Sequence, residues 1–162
     1  MVDVSELSDD VIAFVSEGTR TAMLGYVAAD GRPLVAPVWF VVDGGRLAFN
    51  TGKDTAKGRA LARDPRVVVC VDDPHPPYSF VQVQGIASIS EDPQDLVAIA
   101  TRTGHRYMGA DKADEYGRRT GNQHVTTFDV GHAPRLFGVA PPDLGSDVIG
   151  VEFVDGLHQQ RL

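Results

Sequence analysis

Apolar and polar positions recur with two different periods along this chain, and the switches between them mark its elements. Val11, Ile12, Phe14 and Val15 form an apolar stripe at helical spacing. Ser8 suits the cap of that helix, Asp9 and Asp10 suit its positive end, and Gly18 suits its stop. The period then falls to two. Strands are predicted over 22–28 and 34–42, on either side of Asp30-Gly31, a hairpin signal. Asp43-Gly44-Gly45 turns the chain into a third strand, 46–50, so the three read as an antiparallel meander. Pro37 cannot donate to a ladder, which marks its stretch as an edge, a bulge or a place where something other than a strand lies alongside.

The helical period returns over 55–63 and ends at Asp64-Pro65. The unbroken valines of 66–72 predict a strand buried on both faces. Asp73-Pro74-His75-Pro76-Pro77 is a stiff connection, and 78–90 is a long strand. In it Val81, Val83, Ala87 and Ile89 share one face, and Gln82 and Gln84 the other. Asp92-Pro93 opens another helix as cap and first-turn proline; its stripe is Leu96, Ile99, Ala100 and Thr103, and Gly104 is its expected end. The charged, glycine-rich stretch 109–121 reads as a mobile helix-loop on the surface. Strands 125–130 and 135–139 are expected to pair as the last two of the sheet. Beyond Pro141-Pro142 only 148–154 is patterned, so 141–162 reads as a C-terminal extension over the barrel or a partner. Strands with a few inserted helices predict one mainly β domain over 1–162, a small closed barrel with helices at its ends.

Composition narrows the function more than the fold. Hydrophobic residues make up 43% and charged residues 23% of the 162, as in a soluble globular protein. The net charge of −7 disfavours nucleic acid and anionic membranes, so an anionic ligand needs a local cluster of cations. Cys70 is the single cysteine and lies among valines, which predicts a small buried hydrophobe, no internal disulfide and a reducing cytoplasm. The N-terminus is acidic, unlike a signal peptide, and no apolar run is long enough to span a membrane. The five histidines do not pair at metal spacing with Asp, Glu or Cys; His124 and His132 lie at opposite ends of one strand. No nucleophile elbow occurs, so neither a metal nor a catalytic dyad is expected. His105-Arg106-Tyr107 suits the negative end of its helix, with the mouth of a pocket as the other reading.

The local cation cluster occurs in Phe49-Asn50-Thr51-Gly52-Lys53-Asp54-Thr55-Ala56-Lys57-Gly58-Arg59. A strand ends, a glycine turn follows, and a helix begins whose first N–H groups lack partners and carry partial positive charge. A phosphate is the usual guest of such an opening. Lys53 and Lys57 are four apart, Thr51 and Thr55 offer hydroxyls, and Arg59 adds a forked cation. By spacing alone a solvated helix start, capped by Asp54 or Thr55 with its cations in water, fits at least as well. The stretch also lacks the glycine pattern of a phosphate-binding loop.

A longer run bears on that choice. Pro37-Val38-Trp39-Phe40, Asp43-Gly44, Phe49-Asn50-Thr51, Thr55-Ala56-Lys57-Gly58-Arg59 and Arg63-Asp64-Pro65-Arg66-Val67 resemble the pyridoxamine 5′-phosphate oxidase-like superfamily, which folds as a split β-barrel of the antiparallel Greek-key type. Within it the chain is most similar to the deazaflavin branch, which uses coenzyme F420. The resemblance implies an oxidoreductase that passes hydride from the deazaflavin to an electron-poor small molecule. It places the cofactor phosphate on Lys57, with Thr55, Ala56 and Arg59 beside it, Asn50 and Thr51 along the phosphate and side chain, and Val38 and Trp39 against the ring system. It also implies a homodimer in which the partner's strand 78–90 helps close each site. Two alternatives share the fold: an FMN-dependent oxidoreductase, and a non-catalytic protein that binds a flavin, deazaflavin, haem or lipid. Ala60 replaces an asparagine common in the deazaflavin branch, and Phe80 stands where FMN oxidases place a glutamine. Nothing after Arg135 matches the Arg-x-His element of the vitamin-pathway oxidases.

Overall fold

A computed structural model describes residues 7–76 and 78–121 in full, together with the backbone of three later strands. His124, His132 and most of 141–162 lie outside the described residues. The order is α1 (Asp9–Ser16), β1 (Ala22–Val27), β2 (Pro33–Val38), β3 (Val41–Asp43), β4 (Arg46–Gly52) and α2 (Ala56–Arg63). There follow β5 (Arg66–Asp73), β6 (Ser79–Ser90), α3 (Pro93–Met108) and α4 (Ala110–Gly121). The late strands are β7 (Val125–Val130), β8 (Leu136–Gly138) and β9 (Glu152–Val154). No described helix is long and apolar enough to cross a membrane.

Strands β1 to β7 form one antiparallel sheet in the order β2-β1-β5-β6-β7-β4-β3. Its spine is β6, which pairs with β5 along 79–86 and with β7 along 87–90. The tight turn at Gly44 and Gly45, both at positive φ, joins β3 to β4 as the sequence predicts. The expected strand 34–42 is broken in two at Trp39 and Phe40. The break matters, because β2 and β3 then occupy opposite edges of the sheet. Three Cα–Cα steps separate Val38 from Val41, a span of at most about 11 Å. The sheet must therefore curl until its edges nearly meet. No ladder joins β2 to β3 among the described residues, so the closed barrel expected from the pattern is open along this seam.

Two side chains of α3 hold the seam in place of a ladder. The Tyr107 hydroxyl accepts from the Phe40 N–H at 3.3 Å and donates to the Arg20 carbonyl at 2.8 Å. The Arg106 guanidinium donates to the carbonyls of Phe40 at 3.0 Å, Val15 at 2.7 Å and Gly18 at 3.1 Å. It also lies 4.5 Å over the Phe40 ring. Burial pushes the Arg106 pKa down and the Tyr107 pKa up. Both polar groups of Phe40 are thus satisfied without a neighbouring strand, as buried backbone requires.

Inside the curl, Leu24, Phe40, Leu47, Phe49, Leu61, Val15, Val71 and Val83 are almost fully enclosed. Each such side chain stabilises the fold by roughly 2 kcal/mol relative to exposure. Helix α1 closes one end with Val11 and Val15, although Ser8 at its cap position makes no side-chain cap bond. β5 departs from the expectation of two buried faces: Val67, Val69 and Val71 point into the core, while Val68 and Cys70 are only half-buried. Ile89, which shares its face of β6 with the buried Val81, Val83 and Ala87, is itself 44% exposed. Burial, and secondarily Asp72, raises the Cys70 thiol pKa, so the thiol stays protonated.

Two further expectations are corrected by helix packing. α3 does not stop at Gly104 but runs on to Met108, with Gly109 at φ 98° as its cap. The stretch beyond that cap, Ala110–Gly121, is a regular helix, α4, packed along α3. Glycines explain both. A Cβ on Gly104 would lie 2.9 Å from Cβ of Tyr116, one on Gly117 2.0 Å from Oγ1 of Thr101, and one on Gly121 2.5 Å from Cγ2 of Val97. Glycine here permits close approach rather than a break. Lastly, β7 pairs with β4 and β6, and β8 with β9, in place of the expected pair of the two.

Candidate functional site

A cleft of about 310 Å³ opens at the seam. Its lining comes from the end of β2 (Pro37, Val38), the linking Trp39, and Asn50 of β4. Lys57 of α2, Thr103 of α3, Tyr116 of α4 and Thr21 before β1 complete it. The volume lies at the small end of the range for small-molecule sites.

Local chemistry places Lys57. The Thr55 side chain caps α2, its hydroxyl accepting from the Gly58 N–H at 3.0 Å and donating to the Gly52 carbonyl at 2.7 Å. A Cβ on Gly58 would stand 2.2 Å from the Gly52 oxygen and 3.0 Å from that of Lys53. Glycine therefore lets the first turn of α2 sit directly on the turn that leaves β4. One residue earlier, Lys57 reaches the cleft. It is half-buried and lacks an ion-pair or hydrogen-bond partner among the described residues. Burial lowers its pKa, since removing water penalises the charged form.

The aromatic side is set by contacts from α3 and α4. Trp39 is 41% exposed and stacks on Tyr107, ring centroids 4.8 Å apart and planes within 3°. Tyr116 stands 6.2 Å from Trp39 at 45°. Asn50 donates to the Leu96 carbonyl at 3.4 Å, and Thr103 spends its hydroxyl proton on the Ile99 carbonyl at 2.8 Å, which leaves its oxygen as an acceptor.

Of the residues singled out from the sequence, Val38, Trp39, Asn50 and Lys57 are brought together here. Thr51 is buried behind them, 3.5 Å from the Thr55 hydroxyl, and Thr55 serves as the helix cap. Ala56 and Arg59 are exposed, and the Arg59 guanidinium bonds the Asp54 carbonyl. Lys53, expected on the same side as Lys57, is paired with Glu91 at 2.7 Å. Sequence reasoning missed Thr21, Thr103 and Tyr116 as lining residues. Pro37 carried a signal as a strand interrupter; the others carried none, because only the packing of α3 and α4 brings two of them to the seam. Among the described residues no three His, Cys, Asp or Glu cluster as metal ligands.

Known proteins share this architecture. The chain is similar to a conserved hypothetical protein from Mycobacterium tuberculosis, with a TM-score of 0.74 and 24% identity, over 94% of this chain and 96% of that one. It is similar to a structure named F420 reductase at 30% identity and a TM-score of 0.57, over 75% of this chain and 90% of that one. It also shares a fold with a haem storage protein from Vibrio cholerae, at 20% identity and a TM-score of 0.63, over 82% and 94% of the two chains. No protein of curated function matches it in sequence. The family model for pyridoxamine 5′-phosphate oxidase matches residues 8–133, which takes in the seam, the α2 opening and the α3–α4 pair. By that match, and with an F420 reductase among the structures it is similar to, the chain belongs to the pyridoxamine 5′-phosphate oxidase-like family.

Proposed function

We propose that the seam cleft holds a flavin-type cofactor, coenzyme F420 in preference to FMN, and that the chain is an oxidoreductase of the split-barrel type. The observation that carries this reading is Lys57, a half-buried cation facing a small-molecule cleft without a counter-charge among the described residues. A desolvated cation gains most from an anion that enters with the ligand. The N–H groups of Ala56 and Lys57 lie in the same first turn, where an α-helix leaves its donors unpaired. The residues present therefore suit a phosphate at Lys57 and a planar ring toward Val38 and Trp39. Thr55 and Thr51 act behind them by fixing the turn. The likeness to an F420 reductase supports the deazaflavin over FMN.

Bound there, the cofactor supplies the hydride. The chain's part is to hold the phosphate at Lys57 and orient the ring against Trp39. With no acid–base dyad expected, the acceptor is an electron-poor small molecule such as an unsaturated carbonyl compound or a quinone-like ring, which needs position more than proton transfer from a side chain.

A homodimer belongs to the same reading. Two rows of positions cross the β2-β1-β5-β6 half of the sheet in register, apolar from Pro37 through Met23 to Cys70 and from Val35 through Gly25 to Val68, and ending in Gln82 and Gln84. Val35 is 69% and Met23 46% exposed, and a contiguous apolar face of this kind marks a pairing surface. Val35→Glu is expected to give a monomer by analytical ultracentrifugation; an unchanged dimer would remove that face from the interface.

The deciding experiment is titration of the wild type and Lys57→Ala with F420 and FMN side by side. The wild type is expected to prefer F420, and the variant to bind it about 100-fold more weakly, the scale of a lost charge-assisted contact, with an unchanged circular dichroism spectrum. Equal affinity of the two proteins would remove the phosphate site. Tight binding without turnover of quinones or enones would make the chain a carrier.

A further inference from the structure

Strands β6 and β7 are antiparallel neighbours, and a two-residue turn suffices to join such a pair. Here the whole of α3 and α4 is inserted between them. The sheet does not need this insertion for its topology. It does need α3 to hold the seam, through Arg106 and Tyr107. α4 makes no such bond among the described residues, yet it carries Tyr116 into the cleft. The Tyr116 side chain packs against α3 where Gly104 leaves no Cβ: a Cβ there would stand 2.9 Å from Tyr116 Cβ and 3.2 Å from its ring atoms Cγ and Cδ1, so the ring is seated on α3.

We propose that Tyr116 is the specificity-determining residue of the cleft: with Trp39 it forms an aromatic corner that selects a planar, electron-poor ring. One face of Trp39 is covered by Tyr107, so its orientation is set from behind. The Tyr116 ring, inclined at 45° beside it, bounds the space in front. Indole and phenol rings are electron-rich, so a flat, electron-deficient guest stacks on one and meets the edge of the other; a bulky saturated guest does neither. Such a ring can come from the cofactor itself or from a quinone-like acceptor. The inference deepens the cofactor reading by assigning the ring to one side of the cleft and the phosphate, at Lys57, to the other.

Trp39 is the only tryptophan, so its fluorescence intensity reports directly on this corner, and an unchanged lifetime marks the quenching as static. The purified full chain is titrated with lumiflavin, a flavin ring without phosphate, and with menadione, a quinone. At least one is expected to quench Trp39 statically and saturably, and which one does so distinguishes cofactor ring from acceptor. Tyr116→Ala should weaken that binding about five- to tenfold, and Tyr116→Phe should bind as the wild type. Saturable binding of neither ring by the wild type, or of the ring equally well by Tyr116→Ala, overturns the proposal. Retention of F420 affinity by Lys57→Ala, with ring binding still dependent on Tyr116, would instead sink the phosphate assignment and leave the aromatic corner standing.

Discussion

On one side of the cleft Lys57 is placed by its own neighbours in the chain; on the other, Tyr116 arrives through contacts between residues far apart in it. The α2 side is a strand end, a turn and a cap, all within 49–58, closed by Thr55 and by the approach of Gly58 to the Gly52 carbonyl. The α3–α4 side is two helices seated against each other at Gly104, Gly117 and Gly121. Both sides depend on glycine, but the atom that each glycine avoids differs. Gly58 avoids backbone, which cannot move without opening the turn. Gly117 avoids first the hydroxyl of Thr101, which can rotate, and then its Cβ and Cα at 3.1 and 3.2 Å, which need give by only a few tenths of an ångström. The site thus has one rigid side, backbone against backbone, that positions charge and one side, helix packed on helix, that shapes the ligand.

The largest expected effect breaks the rigid side. Gly58→Ala should cost about 3 kcal/mol of stability, the upper end for overpacking, read as a fall in the urea midpoint, and should weaken anion binding as the turn shifts Lys57. A variant as stable as the wild type would show that the α2 opening is not rigid. The helix–helix side should yield more cheaply: Gly117→Ala is expected to cost about 1 kcal/mol, because the Thr101 hydroxyl can turn aside and the contacts behind it need give only slightly, and to leave F420 binding at Lys57 intact. Equal penalties for the two alanines would erase the distinction between the sides.

The smallest effect sharpens the electrostatic half. Lys57 holds an anion only when protonated, and burial has already lowered its pKa. Raising the pH should therefore weaken phosphate binding before the usual lysine range near about 10.4 is reached. The sign for stability is opposite. Below its folded pKa the charged Lys57 carries its full desolvation cost, and that cost is relieved as pH rises through this value, so the ligand-free protein should lose nothing from its titration there. Calorimetry as the pH is raised toward the usual lysine range should show proton uptake on anion binding, absent in Lys57→Arg, which stays charged. Anion affinity that is flat across that range would mean Lys57 is not the group that grips.

What could be read in advance follows the same division. The strand–turn–helix around Lys57, the hairpin at Asp30-Gly31, the cap at Asp92-Pro93 and the buried stripe of α3 are encoded by residues within a few positions of one another, and each stands where the pattern put it. The expected end of α3 at Gly104 and the expected loop over 109–121 failed for one reason. A glycine that ends a helix and a glycine that admits a second helix look alike until the second helix is in place. The broken strand 34–42 is similar: Trp39 and Phe40 leave the ladder because Arg106 and Tyr107, distant in sequence, take over their backbone partners and the Trp39 ring face.

By itself, then, the sequence determined the local elements, the family and the cation of the α2 opening, because propensity, capping and period act over a few residues. Only the tertiary structure decided that the sheet stays open at the seam, that Lys53 and Arg59 are occupied elsewhere while Lys57 faces the cleft, and that Thr103 and Tyr116 complete the lining. Those outcomes depend on which distant side chain reaches a group first, and the neighbours of a residue along the chain carry no record of that.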